Sequence, residues 1–138
     1  MKTSVLLGFF VLGLSACAAT GPTVEEVAAS YQTELNAPHK ETVRQKIVDS
    51  CSLVRYKDSD LEGGCYLSSD VIVYEFRLTD NRMEWNPQAA ATITKMVLEE
   101  VCEDDEEALK YGFALLVNLE GKNGFIGKLK SFKDCQNI

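Results

Sequence analysis

The stretch VIVYEFRLT, residues 71–79, decides how the chain folds. Ile72, Tyr74, Phe76 and Leu78 fall on one side of an extended backbone and Val73, Glu75 and Arg77 on the other. That period of two predicts a strand in a sheet with one dry face. Toward the C-terminus, Asp80, Asn81 and Arg82 make a turn, Met83 to Trp85 reads as a brief strand, and Asn86 with Pro87 supplies a helix cap and a first-turn proline. Ala90, Ile93, Met96, Val97 and Val101 then form an apolar stripe, so a helix is expected to run to about Cys102 and to pack on the sheet. The acidic run Glu103 to Glu107 ends it. Leu109, Tyr111, Phe113, Leu115, Val117 and Leu119 alternate as the longest strand signal, Glu120 to Gly124 reads as a hairpin loop, and Phe125 to Lys133 as a returning last strand.

Toward the N-terminus the period changes. Thr23 with Glu26 fits a capping box, and Val24, Val27, Ala28, Tyr31 and Leu35 follow at helical spacing until Pro38. A second short helix is expected from Glu41 to about Ser50, with Val43 and Ile47 on its apolar side, then a strand from Ser52 to Tyr56 and a loop from Lys57 to Gly64. The order is helix, helix, strand, strand, helix, strand, strand. It predicts an α+β domain: N-terminal helices and one long helix on a mainly antiparallel sheet of about four strands.

The first residues are of another kind. Lys2 is followed by an uncharged apolar run from Val5 to Leu14, too short to span a bilayer and shaped like an export signal. Leu14-Ser15-Ala16-Cys17 resembles the lipobox of bacterial lipoproteins, in which the cysteine is acylated and the leader is cut before it. The expected organisation is a signal peptide over residues 1–16, a lipidated tether over 17–22 and one globular domain over 23–138. Ala18, where that family uses Asp to retain a protein, implies passage to the periplasmic face of the outer membrane.

Composition agrees with one small exported domain. The 138 residues are 46% hydrophobic and 25% charged, which excludes a disordered chain. The net charge is −7, and −8 once Lys2 is removed, too acidic for a nucleic-acid partner and, taken over the whole chain, for a polybasic hold on anionic lipid. With Cys17 assigned to lipid, Cys51, Cys65, Cys102 and Cys135 remain, an even number in an exported chain, so two disulfides are expected and three pairings are open. Zinc would need close thiolate pairs or several histidines, whereas the gaps are 14, 37 and 33 residues and His39 is the sole histidine.

Catalytic signals are missing, and no enzyme, metal or cofactor is expected. Nucleophilic catalysis needs a base beside the nucleophile, and His39 sits in an inter-helix turn. Asp58, Asp60, Glu62 and Gly63 mimic the opening of a calcium loop, but Ser69 stands where the bidentate Glu belongs. The acidic run reads as a solvated turn in which Asp104 or Asp105 caps a last helical turn.

From about Val71 to Cys135 the pattern is similar to the AspS/GspS-type pilotins of bacterial type II secretion systems. The strand Ile72 to Leu78, the helix ending in Cys102, the acidic break, the strand Gly112 to Val117, the hairpin loop and the closing Cys135 carry the resemblance, and the lipobox leader and chain size match. It implies a Cys102–Cys135 bridge, which leaves Cys51 for Cys65. It also implies a function: a lipid-anchored protein that binds the C-terminal segment of a secretin subunit and brings it to the outer membrane for assembly. The alternative is a lipoprotein that binds or inhibits a basic periplasmic enzyme such as a lysozyme, to which an acidic surface is suited. One helix cannot cover all the apolar faces. A groove between Val43 and Ile47 on one side and Ile93 and Val97 on the other is therefore expected to take an amphipathic helix, with an acidic rim. If Ile47 is instead core, an aspartate there should unfold the domain.

Overall fold

The computed structural model describes residues 21–31 and 39–137. The leader over 1–16, Cys17, most of the tether, Leu35 and Pro38 lie outside the described residues. Helix α1 (Val24–Ser30) starts on a complete capping box: the Glu26 N–H donates to the Thr23 hydroxyl and the Thr23 N–H donates to the Glu26 carboxylate. Helix α2 (Lys40–Leu53) runs past Ser50, because Cys51 continues the buried row of Val43 and Ile47 at intervals of four. Ser52 and Leu53, expected to begin a strand, lie in its last turn.

Strands β1 (Arg55–Lys57), β2 (Leu61–Ser68) and β3 (Val71–Leu78) form an antiparallel meander. Much of β2 was expected to be loop. Its Gly63-Gly64 pair is a strand feature: a Cβ on Gly63 would lie 2.8 Å from Cδ1 of Phe76, so glycine is what lets that ring lie against the backbone. Helix α3 (Pro87–Asp104) begins with Asn86 Oδ1 accepting from the Gln88 and Ala89 N–H groups and Pro87 in the first turn. Met83 to Trp85 forms a single bridge, Glu84 with Lys122, and the Trp85 indole N–H donates to the Glu120 carbonyl.

The acidic run does not end helical structure. Asp105 divides α3 from a short helix α4 (Glu106–Lys110), without capping it by a side-chain hydrogen bond. Strand β4 (Ala114–Glu120) therefore starts later than Leu109, after Gly112 turns the chain at φ 88°. It pairs parallel to β3, since a helical crossover returns the chain in the same direction, and antiparallel to β5 (Phe125–Ile126). The expected last strand stops at Ile126 except for a bridge from Lys130 to Leu115, and Cys135 ends the short helix α5 (Phe132–Cys135).

The fold is α+β, a mixed and mostly antiparallel sheet of five strands in the order β1-β2-β3-β4-β5. Helices α2 to α5 gather on the face of Ile72, Tyr74, Phe76, Leu115, Val117 and Leu119. The other face was expected to be wet, yet Val71, Val73, Ala114 and Leu116 are buried there beneath α1. Two disulfides, Cys51–Cys65 and Cys102–Cys135, tie α2 to β2 and α3 to α5.

Asp70, in the β2–β3 turn, anchors the start of α2 through ion pairs to Lys40 and Arg44, whose cations lie 5.6 and 5.4 Å from the centre of the Phe113 ring. Burial opposes the charge on Asp70, but the hydrogen bonds and charges of Lys40 and Arg44 outweigh it and hold the carboxyl below its usual range.

Candidate partner-binding grooves

Helix α2 packs on β2 and α3 packs on β4, so part of β3 lies between them. Register sets what lines that strip: Tyr56, Gly63, Phe76 and Leu119 form one cross-strand row on the helix side of the sheet, and Leu61 pairs with Leu78 beside it. Phe76, Leu61, Leu78, Ile93 and Val97 are half-buried, while Tyr56 is 48% and Met96 62% exposed. Met96 lies on the exposed side of α3, three residues from Ile93 and four from Glu100. The result is a shallow apolar trough: Phe76, Leu61 and Leu78 on the sheet and Ile93 and Val97 on α3 lie partly buried against one core cluster, while Met96 on α3 and Tyr56 on the edge strand are exposed.

One end of the trough is acidic. The Tyr74 hydroxyl donates to Oδ2 of Asp105 at 2.7 Å, and Asp104 and Glu100 stand nearby. Burial, then the charge of Asp105, pushes the Tyr74 hydroxyl above its usual range; burial, with the charge of Asp104, likewise raises the Asp105 carboxyl despite the bond from Tyr74. A carboxyl with a raised folded pKa binds its proton more tightly in the folded state. Stability is therefore lost as the pH rises from the ordinary carboxylate range through the folded pKa, and stays reduced above it. Asp105→Asn keeps an acceptor for Tyr74 and should raise stability at neutral pH with no gain in acid. Urea melts across that range check the sign.

Behind Tyr74 a cleft of about 190 Å³ is lined by Val43, Ile47, the Cys51–Cys65 bridge and Ala108, with Lys46, Asp104 and Glu107 at its mouth. Val43 and Ile47 thus line a small cleft and belong to the core, Ile47 being 7% exposed. Ile93 and Val97 lie on the same side of the sheet but line the trough instead. All four pack on one core cluster, and Tyr74 and Asp105 line the cleft of Val43 and Ile47.

Of three further depressions among the described residues, one of about 420 Å³ beside the Cys102–Cys135 bridge is lined by Glu99, Glu103, Glu106 and Phe132, and two others are larger. One, about 590 Å³, lies along β1, β2 and β3 and is lined by Arg55, Lys57, Glu62, Tyr66, Glu75 and Arg77. Its charges largely satisfy one another: Glu62 pairs with Lys57 and Arg77, and Glu75 accepts from Asn118. Burial, then the charges of Glu75, Glu25 and Glu120, pushes the Tyr66 hydroxyl up to about 12. The other, about 520 Å³, separates α3 from the segment 125–130 and is lined by Ala91, Thr94, Leu98, Phe125 and Ile126, with Lys95, Lys128 and Lys130 around it.

Asp58, Asp60 and Glu62 do not converge: Asp58 accepts from the Ser59 N–H, Asp60 from the Ser59 hydroxyl, and Glu62 takes its two cations. Among the described residues no group of three or more His, Cys, Asp or Glu side chains is arranged to hold a metal ion, and no helix is long and apolar enough to cross a membrane. Tyr56, Met96 and Phe125 escaped the sequence reading, since exposure is a property of what lies above a residue. The lysines around Phe125 did leave a signal, four between residues 121 and 133 without one acid. No family model matches the chain, and no similar protein is found among curated sequences or solved structures.

Proposed function

We propose that this protein is an outer-membrane lipoprotein acting as a pilotin: held by lipid on Cys17, it receives the C-terminal segment of a type II secretion secretin and carries it to the membrane. The observation that carries this reading is the trough, an apolar strip between two helices ending at Glu100, Asp104 and Asp105. Its chemistry suits an amphipathic helix with apolar anchors at i and i+4 and a basic end. The Cys102–Cys135 bridge, which the resemblance to pilotins implies, adds support.

Exposed anchors give a cleaner test than Ile47, whose replacement by Asp strikes the core. Tyr56→Asp and Met96→Asp should leave the fold intact and each weaken binding of a secretin C-terminal peptide by about tenfold. Titration calorimetry reads the affinity and circular dichroism the fold. If the wild type ignores every secretin peptide but retains a basic enzyme such as lysozyme, the alternative class replaces this one.

A further inference from the structure

The groove between α3 and the segment 125–130 has the opposite charge from the trough. Residues 121–133 carry Lys122, Lys128, Lys130 and Lys133 and no acid, in a chain whose net charge is −7. The rest of the molecule is correspondingly more acidic, so charge is separated across it. An anionic surface repels most of this protein and attracts this side, which makes the asymmetry an orienting device.

Three features mark that side. Phe125 is 41% exposed between lysines that reach out around it, the pairing of an apolar side chain with snorkelling cations that suits a lipid interface. Thr94 Oγ1, in the groove wall, has no hydrogen-bond partner, alone among the buried side-chain polar atoms of the described residues. Ile126 and Leu129 pack against the cluster containing Val24 and Ala28, so α1 lies beside the basic segment. Helix α1 begins seven residues after Cys17, a stretch that reaches about 25 Å when extended. Of the three lysines around the groove, Lys95 has an exposed neighbour, Glu99, at 3.6 Å, a pair that contributes little, and Lys130 acts electrostatically on Asp134; in the same segment Lys122 pairs with Glu84 at 2.7 Å.

The geometry points to a headgroup site: Lys95, Lys128 and Lys130 contact the phosphates of anionic phospholipid while Phe125 enters the interfacial layer. The inference rests on the lipid-anchor reading and adds an orientation to it, with the basic side turned to the membrane.

The test uses the full chain purified from membranes and reconstituted in phosphatidylcholine vesicles with or without phosphatidylglycerol. Amine-reactive labelling followed by peptide mass spectrometry should show several-fold protection of Lys95, Lys128 and Lys130 only with the anionic lipid, reversed by salt. Lys46 and Lys57, remote from the groove, should label equally in both. The triple variant K95E/K128E/K130E, which alters two exposed lysines and the half-buried Lys130, should remain folded by circular dichroism and abolish the difference at Lys122 and Lys133 as well. Equal labelling of the three lysines in the two vesicles overturns the inference, as does protection by an acidic amphipathic peptide but not by lipid. Intact mass reads acylation of Cys17 separately, so absence of the acyl groups counts against the anchor while the labelling of the same protein with added vesicles still decides the headgroup site.

Discussion

Replacing Cys102 and Cys135 together by alanine is expected to lower the stability of the domain by about 3 to 4 kcal/mol, through the loop-closure entropy returned to the unfolded chain. The bridge spans 33 residues, with 5.5 Å between the two Cα atoms, and that interval includes all of β4, whose residues from Ala114 to Leu119 are buried. Much of the unfolded ensemble's freedom in the core-forming segment is therefore removed by one covalent link. Helix α5 has no fully buried residue of its own and sits on α3 and α4 through Phe132, over whose ring Lys110 lies at 5.7 Å. Without the bridge, amide exchange in residues 131–137 should become fast even where the rest of the domain stays protected. Urea unfolding of the double variant checks the global figure. A drop below about 1 kcal/mol would mean that the reduced unfolded chain is already compact there. The shorter Cys51–Cys65 loop should contribute about 3 kcal/mol by the same argument.

The features legible in the sequence are those fixed by local chemistry. Thr23 with Glu26 and Asn86 with Pro87 mark helix starts by hydrogen bonds within three residues, and the alternation Ile72 to Leu78 sets the sheet face because the pleat has period two. Misreadings arise where a distant partner decides. Gly63-Gly64 reads as the end of a loop, but the space above Gly63 belongs to Phe76, thirteen residues on. Leu109 continued the alternation of the following strand, yet the buried pair Ala108 and Leu109 packs as one helical turn before Gly112 redirects the chain. Val73 is dry because a helix some forty residues earlier crosses to the second face. The same logic limits the site. Val43, Ile47, Ile93 and Val97 were apolar at helical spacing, which tells which side of a helix turns inward; whether that side meets core or an open trough depends on the gap between α2 and α3.

Phe113→Ala should destabilise the domain by about 3 to 5 kcal/mol, the usual cost of emptying a fully buried aromatic site. Against a total of roughly 5 to 15 kcal/mol for a domain of this size, that leaves a marginal fold. Phe113 is 0% exposed and does more than fill space. Its ring supports Lys40 and Arg44, the two cations that bind Asp70, so α2 is held at its start by one aromatic face and one carboxylate and at its end by Cys51–Cys65. Phe113→Leu keeps most of the volume but loses the π-face, and should cost less, about 1.5 kcal/mol or below for the volume change, with the cation–π contribution of about 1 kcal/mol added. A double-mutant cycle of Phe113→Leu with Arg44→Gln isolates that contribution. Strict additivity in thermal and urea melts would show the ring to be packing alone. A coupling near 1 kcal/mol would establish that the cations and the ring hold α2 jointly, so that the start of this helix is fixed against the β2–β3 turn by Phe113 as well as by Asp70.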